Sequence, residues 1–137
     1  MAVIALDSQE SGAYLRRWVE RAPPVVVALC AAWCDTCTEF RATLERIAAA
    51  RPELLFFWLD IEDDAAICGD IDVENFPTLA IYRGEHLLHY GVALPLEGTI
   101  GRLVDEIVTR PEVKVPAPPA VLELPQRLRA RLPDQAA

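Results

Sequence analysis

Cys34 and Cys37 stand two residues apart in Ala32-Trp33-Cys34-Asp35-Thr36-Cys37. Thiols at positions i and i+3 share one turn of a helix, which brings their sulfurs within reach of a disulfide. One can attack and the other can resolve. In a reduction, Cys34 as thiolate forms a mixed disulfide with a substrate, and Cys37 displaces it, leaving an intramolecular disulfide and a reduced substrate. The other reactive side chains read more plainly. Cys30 is expected to be a small buried hydrophobe and Cys68 a partly exposed bystander. A zinc site built from all four cysteines lacks the second ligand pair such sites use, so no metal is expected. His86 and His89 lie an odd number of positions apart on a strand, which points them to opposite faces and makes them surface residues. The acidic run Asp60 to Asp64 lacks the Gly and the later Glu of a calcium loop and reads as a solvated loop leading into a helix. Trp18 and Trp58 read as core.

The elements that position the two thiols follow from periodicity. Val25 to Ala31 form an unbroken apolar run fit for a buried strand, while Cys37, Phe40, Leu44, Ile47 and Ala48 recur at helical spacing. Cys34 therefore falls at a helix N-terminus, where unpaired N–H groups and the helix dipole favour an anion. Before this pair, Val3 to Leu6 suit a first strand, and Asp7-Ser8-Gln9-Glu10 resemble a capping box opening a helix that Pro23-Pro24 end. After it, Leu54 to Leu59 suit a central strand and Ala65 to Cys68 a short helix. Leu79 to Tyr82 and Glu85 to Tyr90 read as strands joined through Arg83-Gly84. Leu96, Ile100, Leu103, Val104 and Ile107 give the apolar face of a helix opened by Pro95. The order is β-α-β-α-β-α-β-β-α.

A chain of 137 residues, 53% hydrophobic and 25% charged, is long enough and apolar enough for one folded domain with a short appendage. Its formal net charge of −8 argues against nucleic acid and against anionic membranes as partners. No apolar run approaches the length of a membrane span. Met1 to Leu6 lacks the basic start and apolar stretch of a secretory signal, and a C-x-x-C beside a βαβ pattern reads as redox-active in a reducing compartment, so a cytoplasmic location is expected.

Trp33-Cys34-Asp35-Thr36-Cys37, followed by Phe76-Pro77-Thr78 and a Gly84 hairpin in this element order, resembles thioredoxin over residues 1–110. The resemblance implies an α/β thioredoxin fold: a central mixed sheet, its first three strands parallel and its hairpin antiparallel, with helices on both faces. It implies a protein disulfide oxidoreductase without a dissociable cofactor, acting on protein thiols and disulfides, with a reductase as electron donor. It also implies a cis bond before Pro77, which the small trans preference of X-Pro bonds permits. Trp33, Phe76 and Pro77 would frame the groove for an extended substrate peptide.

The departures from that family are specific. Gly-Pro usually separates the two cysteines; here it is Asp35-Thr36. The acid and lysine thought to handle the resolving proton in thioredoxins align with Ala28 and Trp58, leaving an apolar floor beneath Cys37. This favours a second reading, a non-catalytic binding module or chaperone that keeps the groove without turnover. The tail, 111–137, begins with a proline-rich stretch through Pro116-Ala117-Pro118-Pro119, which suits an extended conformation. A short basic helix is expected over Gln126 to Leu132, after Pro125. The tail is either a loose extension or docked through Val121, Leu122 and Leu124.

Overall fold

In the computed structural model, residues 3–5, 9, 11–21, 23–31, 34–68, 71, 77–112 and 114–130 are described. Strands β1 (Val3–Ala5), β2 (Pro24–Cys30), β3 (Leu55–Asp60), β4 (Thr78–Arg83) and β5 (His86–Val92) form one sheet in the order β1-β3-β2-β4-β5. The β1–β3 and β3–β2 pairs are parallel, and β2–β4 and β4–β5 antiparallel. This is the mixed sheet expected from the sequence. Helices α1 (Ser11–Arg21), α2 (Asp35–Ala49), α3 (Ala65–Cys68), α4 (Glu97–Ile107) and α5 (Pro119–Arg129) complete the fold.

β2 is central, and both of its faces are covered, which is why it reads as a continuous apolar run. Its side chains alternate between two cores. Val25, Val27 and Leu29 pack with Leu15 and Trp18 of α1, and with α3 and α5. Val26 and Ala28 pack with Phe40, Leu44 and Ile47 of α2 and Ile100 and Val104 of α4. The C-terminal end of α2 is held by Arg51, which donates from Nε and Nη2 to the Asp105 carboxylate at 2.7 and 2.8 Å. Burial of the α2 stripe thus fixes the helix that carries Cys37 against the sheet.

The β4–β5 turn is Gly84-Glu85, one position later than the sequence suggested. Gly84 has φ 60°, the left-handed value that a two-residue hairpin turn demands. Trp18 Nε1 donates to the Gly84 carbonyl at 2.9 Å and is only 5% exposed, which makes it core as expected. The histidines differ from expectation. Ile81 pairs with His89 and Tyr82 with Leu87, so Leu88 bulges out and the strand alternation is reset. His89 is half-buried and its Nε2 is enclosed without a partner among the described residues. Burial, and then the charge of Arg110, push its imidazole below the ordinary range.

The tail helix begins earlier than the sequence suggested, at Pro119, and runs through Pro125. Pro118 caps it and Pro119 fits its first turn, where no N–H is needed. Pro125 has no N–H to give to the carbonyl of Val121, one turn back. Tyr82 fills that vacancy: its hydroxyl donates to the Val121 carbonyl at 2.8 Å in a fully buried contact. The tail is docked. Val121, Leu124 and Leu128 are each 0% exposed within the core on the α1 face, and Arg129 meets Glu85 at 3.1 Å.

Tyr82→Phe is expected to cost about 1–3 kcal/mol, because it strands a buried carbonyl without a donor. Adding Pro125→Ala restores an N–H at position 125, so the double variant should recover much of that loss. Denaturant titration of the four proteins checks the coupling. Equal losses from Tyr82→Phe with either residue at position 125 would refute it.

Candidate functional site

β2 ends at Cys30 and α2 begins at Asp35, so the chain turns sharply between them. The Cys34 N–H donates to the Ala31 carbonyl at 3.0 Å, closing that turn. Cys34 is the N-cap of α2, with φ −92° and ψ 115°, and its side chain makes no capping hydrogen bond. Its carbonyl accepts from the Thr38 N–H at 3.2 Å and from Thr38 Oγ1 at 3.3 Å. The backbone therefore anchors Cys34, and the residue stays partly exposed.

Cys37, one turn on, faces inward and is 1% exposed. The structure places the two thiols on the first turn of α2, Cys34 at its N-cap and Cys37 three residues on. Burial pushes the Cys37 thiol up from its ordinary range, while hydrogen bonds from Cys30 and from the Ala31 backbone N–H act in the opposite direction. A partly exposed cysteine at the helix start with a buried one three residues on suits attack by the first and resolution by the second.

Beneath Cys37, Ala28 pairs with Trp58 across β2 and β3, so neither position offers a titratable group. The surroundings are not wholly apolar, however. Cys30, at the end of β2, is fully buried. Its own thiol is pushed well above the ordinary range, chiefly by burial. A cavity of about 350 Å³ opens beside Cys37, lined by Ala31, Arg41, Trp58 and Asp60 among others. Trp58 is thus a wall residue as well as a core residue: it packs on Phe40 and lies 5.1 Å below the Arg41 guanidinium.

The acidic run is more structural than a solvated loop. Asp60 is 9% exposed, and its Oδ1 accepts from the N–H groups of Glu62 and Asp63 at 2.8 and 2.9 Å. Asp64 Oδ2 accepts from the Asp60 N–H. These bonds satisfy the turn leading into α3. Cys68 also differs from expectation: it is 1% exposed, enclosed by the core to which α5 contributes, and its thiol is pushed up to about 12 by burial. Among the described residues, no group of three or more His, Cys, Asp or Glu is placed to hold a metal ion. Nor is any helix among them long and apolar enough to cross a membrane.

Of the three expected groove residues, Trp33 and Phe76 lie outside the described residues, and with Phe76 the peptide bond before Pro77. Pro77 is buried, and its carbonyl accepts from the Ala93 N–H at 3.0 Å. That bond places the segment after β5 beside Pro77. Val92, Leu94 and Leu96 there are 59%, 66% and 57% exposed, the largest apolar exposures among the described residues. The sequence reading missed this apolar lip. Its signal was the apolar run Val92-Ala93-Leu94 between the strand and Pro95, while Leu96, expected on the apolar face of the helix, instead stands exposed as the N-cap of α4.

Known proteins resemble this chain. The chain is 25% identical over 88 residues to a thioredoxin-like protein, CXXS1, of rice, covering 64% of this chain and 66% of that one. It is 28% identical over 75 residues to thioredoxin H-type 1 of tobacco, covering 55% and 60%. It thus spans less than two thirds of the length of these curated relatives. A crystal structure of poplar thioredoxin h superposes with a TM-score of 0.67 at 14% identity, covering 80% of this chain and 99% of that one. Thioredoxin O1 of Arabidopsis thaliana, in its oxidized state, superposes with a TM-score of 0.60 at 17% identity, covering 77% and 97%. These likenesses match the fold. The thioredoxin family pattern itself matches residues 6–98, more than half of the sequence and all of the cysteine turn, and on that match the chain belongs to the thioredoxin family.

Proposed function

We propose that this chain is a thiol–disulfide oxidoreductase that exchanges a Cys34–Cys37 dithiol or disulfide with protein substrates. The observation that carries the reading is the cysteine pair on the first turn of α2, Cys34 partly exposed at the N-cap and Cys37 buried three residues on. Cys34 thiolate attacks a substrate disulfide, forming a mixed disulfide and releasing one substrate thiolate. Cys37 then loses its proton and attacks Cys34, which frees the second substrate sulfur and leaves Cys34–Cys37 oxidised by two electrons. A thiol donor, such as a reductase, returns the pair to the dithiol. Trp33, Phe76 and Pro77 frame the peptide groove, and Val92, Leu94 and Leu96 extend it with an apolar lip. The reaction needs no dissociable cofactor, and a reducing compartment, the cytoplasm, suits it.

Ala28 and Trp58 favour the second reading, a binding module that keeps the groove without turnover. The equilibrium reduction potential of the pair separates the two. Full-length protein is equilibrated in thiol–disulfide buffers, quenched, and read by mass. A defined potential is expected on the scale between about −270 mV, as in thioredoxin, and about −120 mV, as in strongly oxidising relatives. A pair that stays reduced throughout that range refutes the enzyme and leaves the binding module.

A further inference from the structure

Resolution of a mixed disulfide takes a proton from a buried place. Cys37 is 1% exposed, and its thiol must lose that proton before its sulfur can attack. An unhydrated thiolate is costly to form, so the proton needs an acceptor close at hand. Ala28 and Trp58, paired beneath Cys37, offer none. The next residue of β3 on the same face as Trp58 is an acid, Asp60.

Side chains along β3 alternate between the two cores. Leu55, Phe57 and Leu59 belong to the α1 face, whereas Phe56 belongs to the α2 face and Trp58 packs against it. The register with β2 stays regular through Cys30 and Asp60, so Asp60 falls on the α2 face, the side on which Cys37 is buried. Asp60 is itself 9% exposed. It and Cys37 line the same cavity of about 350 Å³, which the small Ala5 and Ala31 help to keep open. A polar cavity of that size holds water.

The Asp60 carboxylate has one oxygen to spare. Its Oδ1 accepts from the N–H groups of Glu62 and Asp63, and among the described residues its Oδ2 receives no hydrogen bond. The other charged and titratable groups around it are placed differently. Asp63 is exposed, and Asp64 accepts from the Asp60 N–H at 2.8 Å to hold the turn. Arg41 of α2 lies over the Trp58 ring and makes no hydrogen bond or ion pair among the described residues, which leaves its charge to offset the carboxylates. Cys30 stands beside Asp60 in the strand register, and Cys68 of α3 lies in the opposite core; burial keeps both thiols neutral. Asp60 is therefore the one buried carboxylate on the cavity.

We propose that Asp60 is the proton acceptor for the resolving step, reached from Cys37 through water in the cavity they share. The inference rests on the Cys34–Cys37 exchange reading. The Cys37 thiol gives its proton to a cavity water, which passes one on to the Asp60 carboxylate. The Cys37 sulfur bonds to the Cys34 sulfur, the bond from Cys34 to the substrate sulfur breaks, and that sulfur leaves as a thiolate. Cys34 and Cys37 are together oxidised by two electrons and the substrate disulfide is reduced. Asp60 then returns its proton to solvent, from which the substrate thiolate takes one up.

The test mixes reduced full-length protein with a small aromatic disulfide whose released thiol is coloured. A first, bimolecular release reports attack by Cys34, and a second, unimolecular release reports displacement by Cys37. With an acceptor inside the protein, the second rate is expected to stay nearly level through the neutral pH range. With solvent as the acceptor it would climb about tenfold for each unit of pH, as the thiolate fraction does. Asp60→Asn keeps an Oδ1 for the two N–H groups of its turn but takes no proton. It should leave the first phase unchanged, slow the second about tenfold at neutral pH, below the roughly hundredfold of a base in direct contact, and give it the steep pH dependence. Asp63→Asn, which neutralises an exposed carboxylate of the same cavity, should alter neither phase. Circular dichroism confirms that each variant is folded.

A second phase that climbs steeply with pH in the unsubstituted protein overturns the proposal, a result that needs no variant. An Asp60→Asn second phase of unchanged rate and level pH dependence overturns it too, and so does an Asp63→Asn loss as large as that of Asp60→Asn. Absence of any second release from the unsubstituted protein is a different failure: it removes the exchange reading, and this inference with it.

Discussion

Cys34→Ser is expected to abolish disulfide exchange, by more than about a thousandfold, the scale on which removing a covalent nucleophile acts in other enzymes. A hydroxyl is barely ionised where a thiol is, and cannot form the mixed disulfide. The same change should leave the fold untouched. Cys34 is partly open to solvent, and its sulfur makes no capping hydrogen bond at the N-terminus of α2. Serine is among the favoured residues at that position, so the melting temperature should stay level or rise slightly. Reduction of a model protein disulfide, followed by release of its free thiols, reads the loss, and a melt of the same sample reads the fold. Substantial reduction by the variant would place the nucleophile elsewhere. Full retention of a bound partner would favour the binding module.

Removing all residues after Arg110 is expected to destabilise the body severely. Val121, Leu124 and Leu128 are completely buried against the α1 face of the sheet, and Ala120 is 5% exposed. Burial of one such large side chain contributes about 1.5–3 kcal/mol, so the three together approach 5–9 kcal/mol as an upper bound. That is comparable to the whole stability of a typical domain, about 5–15 kcal/mol. The truncated chain should lose more than about 10 °C in melting temperature, or fail to fold. It should also bind a dye that reports exposed apolar surface, because Tyr82 and Trp18 lose their cover. A truncated chain that melts like the full one would show that α5 adds no stability.

Local pattern carried most of the sheet and the cysteine turn into view. β2 and β3 are legible because strands covered on both faces are apolar at nearly every position. Cys34 and Cys37 are legible because the change from strand to helical spacing falls between them and β2. Pairings made through space were hidden. Pro125 reads as a helix boundary, since proline removes a donor, and the donor that replaces it sits on Tyr82 in another element. Cys68 reads as exposed because its cover includes α5, far along the chain. His89 reads as a surface residue because the Leu88 bulge leaves no mark in composition.

The docking of α5 also bears on the order in which the molecule assembles. The core under α2 and α4 includes β2, α2 and β3, which follow one another along the chain. The opposite core is different: Leu15 and Trp18 share a pocket wall with Pro125 and Arg129, about a hundred positions away. Contacts that close so long a loop form only after its ends have met, and the ordering cost comes before the reward. The α2 face is thus expected to organise first and the α1 face to seal last. A folding intermediate would display Trp18 to solvent, and its fluorescence would report the final event.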